Sequence, residues 1–268
     1  MLFDYDHTRP MNLDQTSFIQ EDGLPVRTMS YTDLADQRVT AYWIAPASTE
    51  LYPAVLYVHP SPGNKDAFRP EAVMLAQRGA ASLVIDAPWS LAAFGKDLGQ
   101  PQGAYNTFVP IIRNLRRAID VIVAQPNVDA HRIGYVGHSF GALCGGVLAG
   151  VEKRVKAYAL LAGTSSFADV AVLNMPGIQG QPLEEAYKRI FAPIDPIAFV
   201  DKAVPAALLF QFGERDKFPR EHMMTFAEAG SAPKTVIWYD VDHYAVNETG
   251  RTERLDWLCE QLGLRQYA

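Results

Sequence analysis

Cysteines, long apolar runs and clusters of positive charge are scarce in this chain. Its 268 residues include only two cysteines, Cys144 and Cys259, so the sequence does not indicate a disulfide framework. No apolar run approaches the length of a membrane span. The N-terminus carries early acids and no apolar core, so no signal peptide is predicted. These absences predict a cytoplasmic protein with no membrane partner and two buried thiols.

The charge balance and the missing motifs exclude other classes of partner. The chain has 24 basic and 30 acidic residues and a net charge of −6, and no cluster of Lys and Arg is interleaved with aromatics, so no nucleic-acid partner is predicted. Asp240, Asp242 and His243 stand close together, but no second histidine has ligand spacing and no HExxH motif occurs. Neither a GxGxxG nor a Walker motif is present. We therefore expect no metal and no cofactor.

Apolar patterning predicts one α/β domain over residues 1–268. Residues 38–44 alternate enough to form an edge strand, and residues 1–34 are expected to be irregular. Helical patterns alternate with the strands. Continuous apolar runs, as expected for parallel strands buried on both faces, occur at residues 54–58, 81–85, 133–136, 155–161, 206–212 and 235–239. The pattern predicts a mostly parallel, doubly wound sheet with helices on both faces.

Two segments between the strands carry further expectations. The clearest helical pattern runs over residues 108–123, and its Arg113, Arg116 and Arg117 are expected on a side that faces solvent. Residues 165–200 are too long for a simple crossover turn and contain four prolines. We expect this segment to form a short cap insertion.

The most informative segment is Gly-His-Ser-Phe-Gly at residues 137–141. It follows a strand-like apolar run and opens a helix of small residues, the context of a nucleophile elbow. In such an elbow the serine lies on a sharp turn between strand and helix. Glycines flank it two positions away on each side because a tight turn needs close approaches that a Cβ obstructs. Ser139 is therefore the candidate nucleophile.

A serine hydroxyl reacts only when a base takes its proton, and the base works best when a carboxylate fixes its orientation. His243 follows the apolar run at residues 235–239 and is the candidate base. Four acids compete for the third role, since all follow the last two predicted strands: Glu214, Asp216, Asp240 and Asp242.

These segments together resemble the α/β-hydrolase superfamily, closest to its dienelactone hydrolase and prolyl-oligopeptidase-like esterase branch, over about residues 35–265. The resemblance rests on the elbow, the Gly-Glu-Arg-Asp turn that ends at Asp216, the Asp-His pair that ends at His243, and the loop at residues 58–63. The family presents nucleophile, acid and base in this chain order. The resemblance implies an α/β-hydrolase fold and, because the family's acid lies three residues after the turn's glycine, a triad of Ser139, Asp216 and His243.

The loop after the first core strand departs from the family pattern. Pro60 stands where glycine is common and has no N–H to donate. The resemblance therefore implies that the amides of Ser61 and Phe140 form an oxyanion hole, the latter also favoured by a helix N-terminus. His59 and Trp89 are candidate substrate-binding residues, with bracing of this loop and packing as their alternative roles.

The residues and the resemblance together predict a serine hydrolase that cleaves a small carboxylic ester through an acyl-enzyme. Two alternatives stay open. One is a peptidase or amidase of the prolyl-oligopeptidase type, and the other is a catalytically silent binding protein with a hydrolase fold. The expected partner is a small-molecule ester. The sequence leaves the oligomeric state open, with a homodimer as one option.

Overall fold

A nine-stranded sheet in the order β1-β2-β3-β5-β4-β6-β7-β8-β9 forms the centre of the protein. The computed structural model describes residues 2–90, 99–244 and 247–264. Six strands, from β5 to β9 in this order, run parallel, which confirms the predicted mostly parallel sheet. The strands are β1 (Asp14–Glu21), β2 (Leu24–Thr32), β3 (Arg38–Ile44), β4 (Tyr52–Val58), β5 (Ala81–Ile85), β6 (Val128–His138), β7 (Val155–Leu161), β8 (Ala207–Arg215) and β9 (Lys234–Asp242).

Helices cover both faces of the sheet, so the predicted doubly wound arrangement is also confirmed. One buried cluster joins the sheet to α2 and α3, and a second joins its other face to α1 and α7. Cys144 in α3 and Cys259 in α7 are buried free thiols. No helix in the described ranges is long and apolar enough to cross a membrane. The helices are α1 (Arg69–Gln77), α2 (Pro101–Val123), α3 (Phe140–Val151), α4 (Phe167–Asn174), α5 (Pro182–Phe191), α6 (Arg220–Ala229) and α7 (Glu248–Gln261).

Residues 14–32 form a hairpin, so the expectation of irregular structure over residues 1–34 is wrong for this part of the chain. β1 and β2 pair antiparallel and are joined by Asp22 and Gly23. Both residues have positive φ, 48° and 80°, as a two-residue hairpin turn requires. β2 then pairs with β3, which pairs on its other side with β5. The prediction of an edge strand at residues 38–44 is therefore also wrong, because the hairpin extends the sheet beyond it.

The arginines of α2 do not form a solvated face, which corrects another expectation. Arg117 is only 1% exposed, and its guanidinium donates to the carbonyl oxygen of Arg9. Arg116 donates to the carbonyl of Phe3 at 2.8 Å, and Arg113 donates to the carbonyl of Leu2. The three side chains thus hold the N-terminal segment against α2 by satisfying its carbonyl groups, which have no ladder partner in that irregular stretch.

The segment at residues 165–200 carries α4 and α5, which pack against α2. Phe108 of α2 lies edge-on to Phe167 with ring centroids 4.6 Å apart, and its ring lies 5.0 Å from that of Phe191. Asp195 fixes the start of α4, because its carboxylate accepts from the Phe167 N–H at 2.8 Å and from the Ser166 hydroxyl at 2.9 Å. Burial raises the pKa of Asp195 to about 6.

The Asp195 carboxyl should make the stability of this segment depend on pH. Because its folded pKa of about 6 lies above the unfolded value of 3.8, its contribution to folding is complete below pH 3.8 and is lost as the pH rises through about 6. Asp195→Asn keeps an acceptor for the Phe167 N–H but does not titrate. We expect the free energy of unfolding of this variant, relative to the parent, to rise between pH 4 and 7 by up to about 3 kcal/mol.

Urea unfolding at several pH values measures this difference. Asp201→Asn is the matched control, because that carboxyl is 55% exposed and lies 4.0 Å from the Lys202 ammonium, so its removal tests the loss of one negative charge at an exposed site. A difference between parent and Asp195→Asn that stays constant with pH would contradict the assignment.

Candidate active site

Ser139 lies on a strained turn between β6 and α3. Its φ of 53° and ψ of −115° are rare for a residue with a Cβ. A Cβ on Gly137 would lie 2.4 Å from the carbonyl oxygen of Gly141, and a Cβ on Gly141 would lie 2.4 Å from that of Val58. Glycine is therefore required at both positions. The Ser139 N–H donates to the carbonyl of Leu161 in β7 at 2.8 Å, which fixes the turn to the sheet.

Asp216 and His243 reach Ser139 from the ends of β8 and β9. The Asp216 Oδ1 lies 2.8 Å from His243 Nδ1, and His243 Nε2 lies 2.8 Å from the Ser139 Oγ. The side chains of Asp216 and His243 are 0% and 3% exposed. Asp216 also accepts from the Phe218 N–H at 2.9 Å. Since a carboxylate only accepts, His243 carries its proton on Nδ1, and its Nε2 accepts from the serine hydroxyl.

The three competing acids are engaged elsewhere. Glu214 forms an ion pair with Arg220, and Asp240 forms one with Arg215. Asp242 accepts from the Tyr244 N–H at 2.9 Å. The structure thus brings Ser139, His243 and Asp216 together in one hydrogen-bonded line. Among the residues described, no group of three or more His, Cys, Asp or Glu side chains could hold a metal ion.

His138, within the elbow, contacts the backbone of His243, and the sequence did not indicate this contact. Its Nε2 lies 2.8 Å from the carbonyl oxygen of His243, to which it donates. Burial, together with the neighbouring His243, lowers the pKa of His138 to about 4. His138 is therefore neutral at physiological pH, and it holds the backbone of His243 in place.

His59 and Trp89 form a buried brace beneath the loop after β4. The Ala87 N–H donates to His59 Nε2 at 3.0 Å, so the proton lies on Nδ1, which donates to the Pro60 carbonyl at 2.7 Å. The Trp89 indole N–H donates to the same carbonyl at 3.2 Å, and its ring lies edge-on to Phe140 at 4.7 Å. Burial lowers the pKa of His59. Neither residue is part of the cavity lining, whereas Ser61 and Phe140 both are.

A cavity of about 520 Å³ opens above Ser139. Its wall is mostly apolar and comes from α2, α4 and α5, with Lys217 as the one charged side chain among its described residues. The sequence did not assign most of this lining, although Lys217 and Tyr244 directly follow Asp216 and His243 along the chain. The lining is formed by Ser61, Pro62, Gly99, Ala104, Phe108, Ser139, Phe140, Phe167, Val170, Ala171, Leu173, Asn174, Met175, Tyr187, Phe191, Lys217, Phe218 and Tyr244.

No protein-family model and no curated protein matches the chain, but solved structures do. An acetyl xylan esterase from Paenibacillus sp. R4 superposes with a TM-score of 0.80 at 16% identity, over 97% of this chain and 91% of the other. Acetyl xylan esterase 1 from Thermoanaerobacterium sp. JW/SL YS485 gives 0.74 at 15% identity, over 100% and 92%.

An alpha/beta hydrolase from Penicillium sp. sh18 gives a TM-score of 0.68 at 16% identity, over 88% of this chain and 98% of the other. Identities this low establish architecture alone, since one fold hosts many chemistries. The fold predicted from the elbow and its two partner loops is confirmed. The chain has the α/β-hydrolase fold.

Proposed function

We propose that the protein is a serine hydrolase that cleaves a small carboxylic ester through an acyl-enzyme. One observation carries the proposal: His243 lies 2.8 Å from both Ser139 Oγ and Asp216 Oδ1, one partner on each ring nitrogen. A base within hydrogen-bond reach of the nucleophile, itself oriented by a buried carboxylate, is the geometry of nucleophilic catalysis by serine. The esterase names of several structural neighbours support the same reaction class.

In the first half-reaction, the Ser139 Oγ attacks the ester carbonyl while its proton passes to His243 Nε2. Asp216 stabilises the imidazolium of His243 and keeps the ring oriented for transfer of the serine proton. The tetrahedral intermediate then collapses, and His243 gives the proton to the departing alcohol oxygen. The acyl group stays on Ser139. In the second half-reaction His243 takes a proton from water, the hydroxide attacks the acyl carbon, and the carboxylic acid leaves as Ser139 regains its proton.

We assign the oxyanion hole to the amides of Ser61 and Phe140, both of which line the cavity beside Ser139. Phe140 is the first residue of α3, where the helix dipole favours negative charge. The brace formed by His59 and Trp89 holds the Pro60 carbonyl and so fixes the loop that carries Ser61. We therefore assign these two residues to positioning this loop and not to substrate contact.

The lining of the cavity favours a substrate with a small acyl group. It also favours the assignment of residues 165–200 as a roof over the site. Phe108, Phe167 and Phe191 pack against one another in its wall. Leu173 and Met175 line it from the predicted cap. A packed aromatic wall limits the length of chain that fits, because aromatic rings in a packed cluster have little room to move. The names of two structural neighbours, both acetyl xylan esterases, also favour a short acyl group.

Removal of the nucleophile tests the proposed reaction. Ser139→Ala should lower kcat for p-nitrophenyl acetate by at least ~10³-fold, the scale of triad losses. The matched control is Ser48→Ala, an exposed serine in the turn between β3 and β4, which should match the parent. Circular dichroism and thermal unfolding establish that both variants fold. If folded Ser139→Ala kept half of the esterase activity, the mechanism would be wrong.

Acyl-chain length tests the size of the pocket. We expect p-nitrophenyl acetate and butyrate to be cleaved well and esters beyond about eight acyl carbons to be cleaved poorly, since a cavity of ordinary volume holds only a short chain. Each methylene that fits adds only about 1 to 3 kcal/mol of discrimination, so the kcat/KM series should break at a size limit. Values that keep rising through palmitate would show an open groove and reject the limit set by the packed wall.

A further inference from the structure

Lys217 and Tyr244 form a pair at the mouth of the cavity. Lys217 directly follows Asp216, and Tyr244 directly follows His243, so each is anchored by a residue of the triad. The Lys217 ammonium donates to the Tyr244 hydroxyl at 2.6 Å and lies 4.4 Å from the centre of its ring. Both side chains line the same cavity as Ser139. The pair therefore holds a cation in a defined place beside the catalytic serine.

In the part of the chain that the structure describes, no acid side chain pairs with the Lys217 ammonium, whereas two nearby arginines each have one. Arg215, the last residue of β8, and Arg220, the first residue of α6, each form an ion pair with a carboxylate, with Asp240 and Glu214 respectively. Within the described ranges no carboxylate lies within 4.0 Å of the Lys217 ammonium, and the lining of the cavity includes no acid. An ammonium has three donors, and Tyr244 accepts from one of them. Lys217 is exposed to solvent.

The Lys217–Tyr244 pair lies beside the residue that protonates the leaving alcohol in the proposed reaction. Tyr244 lies edge-on to the His243 ring, with centroids 5.0 Å apart, and in the proposed reaction His243 protonates the departing alcohol. Phe108 of α2, Phe167 of α4 and Phe191 of α5 form an aromatic wall of the same cavity. We take the acyl group to lie against these rings, so that the alcohol portion is directed toward His243, which would protonate it, and toward Lys217.

We propose that Lys217, held by Tyr244, binds a carboxylate on the alcohol portion of the substrate, so that the enzyme prefers esters of hydroxy acids. This inference rests on the proposed esterase function. A carboxylate fits better than a phosphate because a single ammonium balances one negative charge and would leave a phosphate dianion uncompensated. The mostly apolar wall of the cavity also favours a compact planar acid over a strongly hydrated dianion.

Two acetate esters that differ in one charge test the proposal. 4-Acetoxybenzoate carries a carboxylate on its alcohol portion, and its methyl ester is neutral with the same acyl group and ring. The ratio of their kcat/KM values is measured for the parent, Lys217→Gln and Lys217→Arg. Lys202→Gln is the matched control, since its ammonium also lies over an aromatic ring, that of Phe199 at 5.2 Å, and is not part of the cavity lining.

We expect Lys217→Gln to lower the ratio by roughly 5-fold, the scale of a partly exposed charge contact, through a higher KM for the carboxylate ester. Lys217→Arg should keep most of the preference, and Lys202→Gln should match the parent. Raising the ionic strength should lower the ratio in the parent and leave it unchanged in Lys217→Gln, because salt screens exposed charges.

A ratio that is the same in the parent and in Lys217→Gln would overturn the carboxylate site. A preference that depends on Lys217 but is greater for 4-acetoxyphenyl phosphate than for 4-acetoxybenzoate would overturn the choice of carboxylate. Ser139→Ala separates this inference from the proposed function. If that variant still cleaved both esters, the proposed esterase mechanism would be wrong. If cleavage required Ser139 but the kcat/KM ratio did not change in Lys217→Gln, only the carboxylate site would be rejected.

Discussion

The backbone of Ser139 is the constraint on which the rest of the site depends. A positive φ at a residue with a Cβ costs about 1 to 3 kcal/mol and persists only where the surroundings enforce it. Here the N–H of Ser139 is held by Leu161 of β7, and α3 approaches β4 so closely that only glycine fits at residue 141. The strained turn raises the hydroxyl above the sheet, where the loops after β8 and β9 can reach it.

A buried polar network fixes those two strands beneath the site. Arg254 of α7 is 1% exposed and donates to Glu71 of α1 at 2.8 Å and to Gln211 of β8. Gln211 donates in turn to the Tyr239 hydroxyl of β9 at 2.8 Å. Buried ion pairs add little to stability compared with apolar packing, but breaking one is costly. The network therefore holds β8 and β9, and with them Asp216 and His243, in one register relative to the elbow.

Much of this arrangement is readable from the sequence, for physical reasons. Parallel strands buried on both faces give continuous apolar runs, and the elbow needs glycines at fixed positions. The N-terminal hairpin was missed although Asp22-Gly23, the dipeptide of a two-residue hairpin turn, precedes the alternating run of β2. The burial of Arg117 could not be read from α2 alone, because its partner is the carbonyl of Arg9, far away in the chain. The cavity lining depends on packing between α2, α4 and α5, which periodicity does not specify.

The chemistry proposed for Ser139 is tested most directly by active-site labelling. A fluorophosphonate forms a stable adduct only with a serine that an adjacent base activates, and peptide mass mapping then identifies that serine. We predict a single adduct on the peptide that contains Ser139, formed at the same rate as esterase activity is lost. An adduct on any other serine, or full esterase activity after Ser139 is labelled, would contradict it.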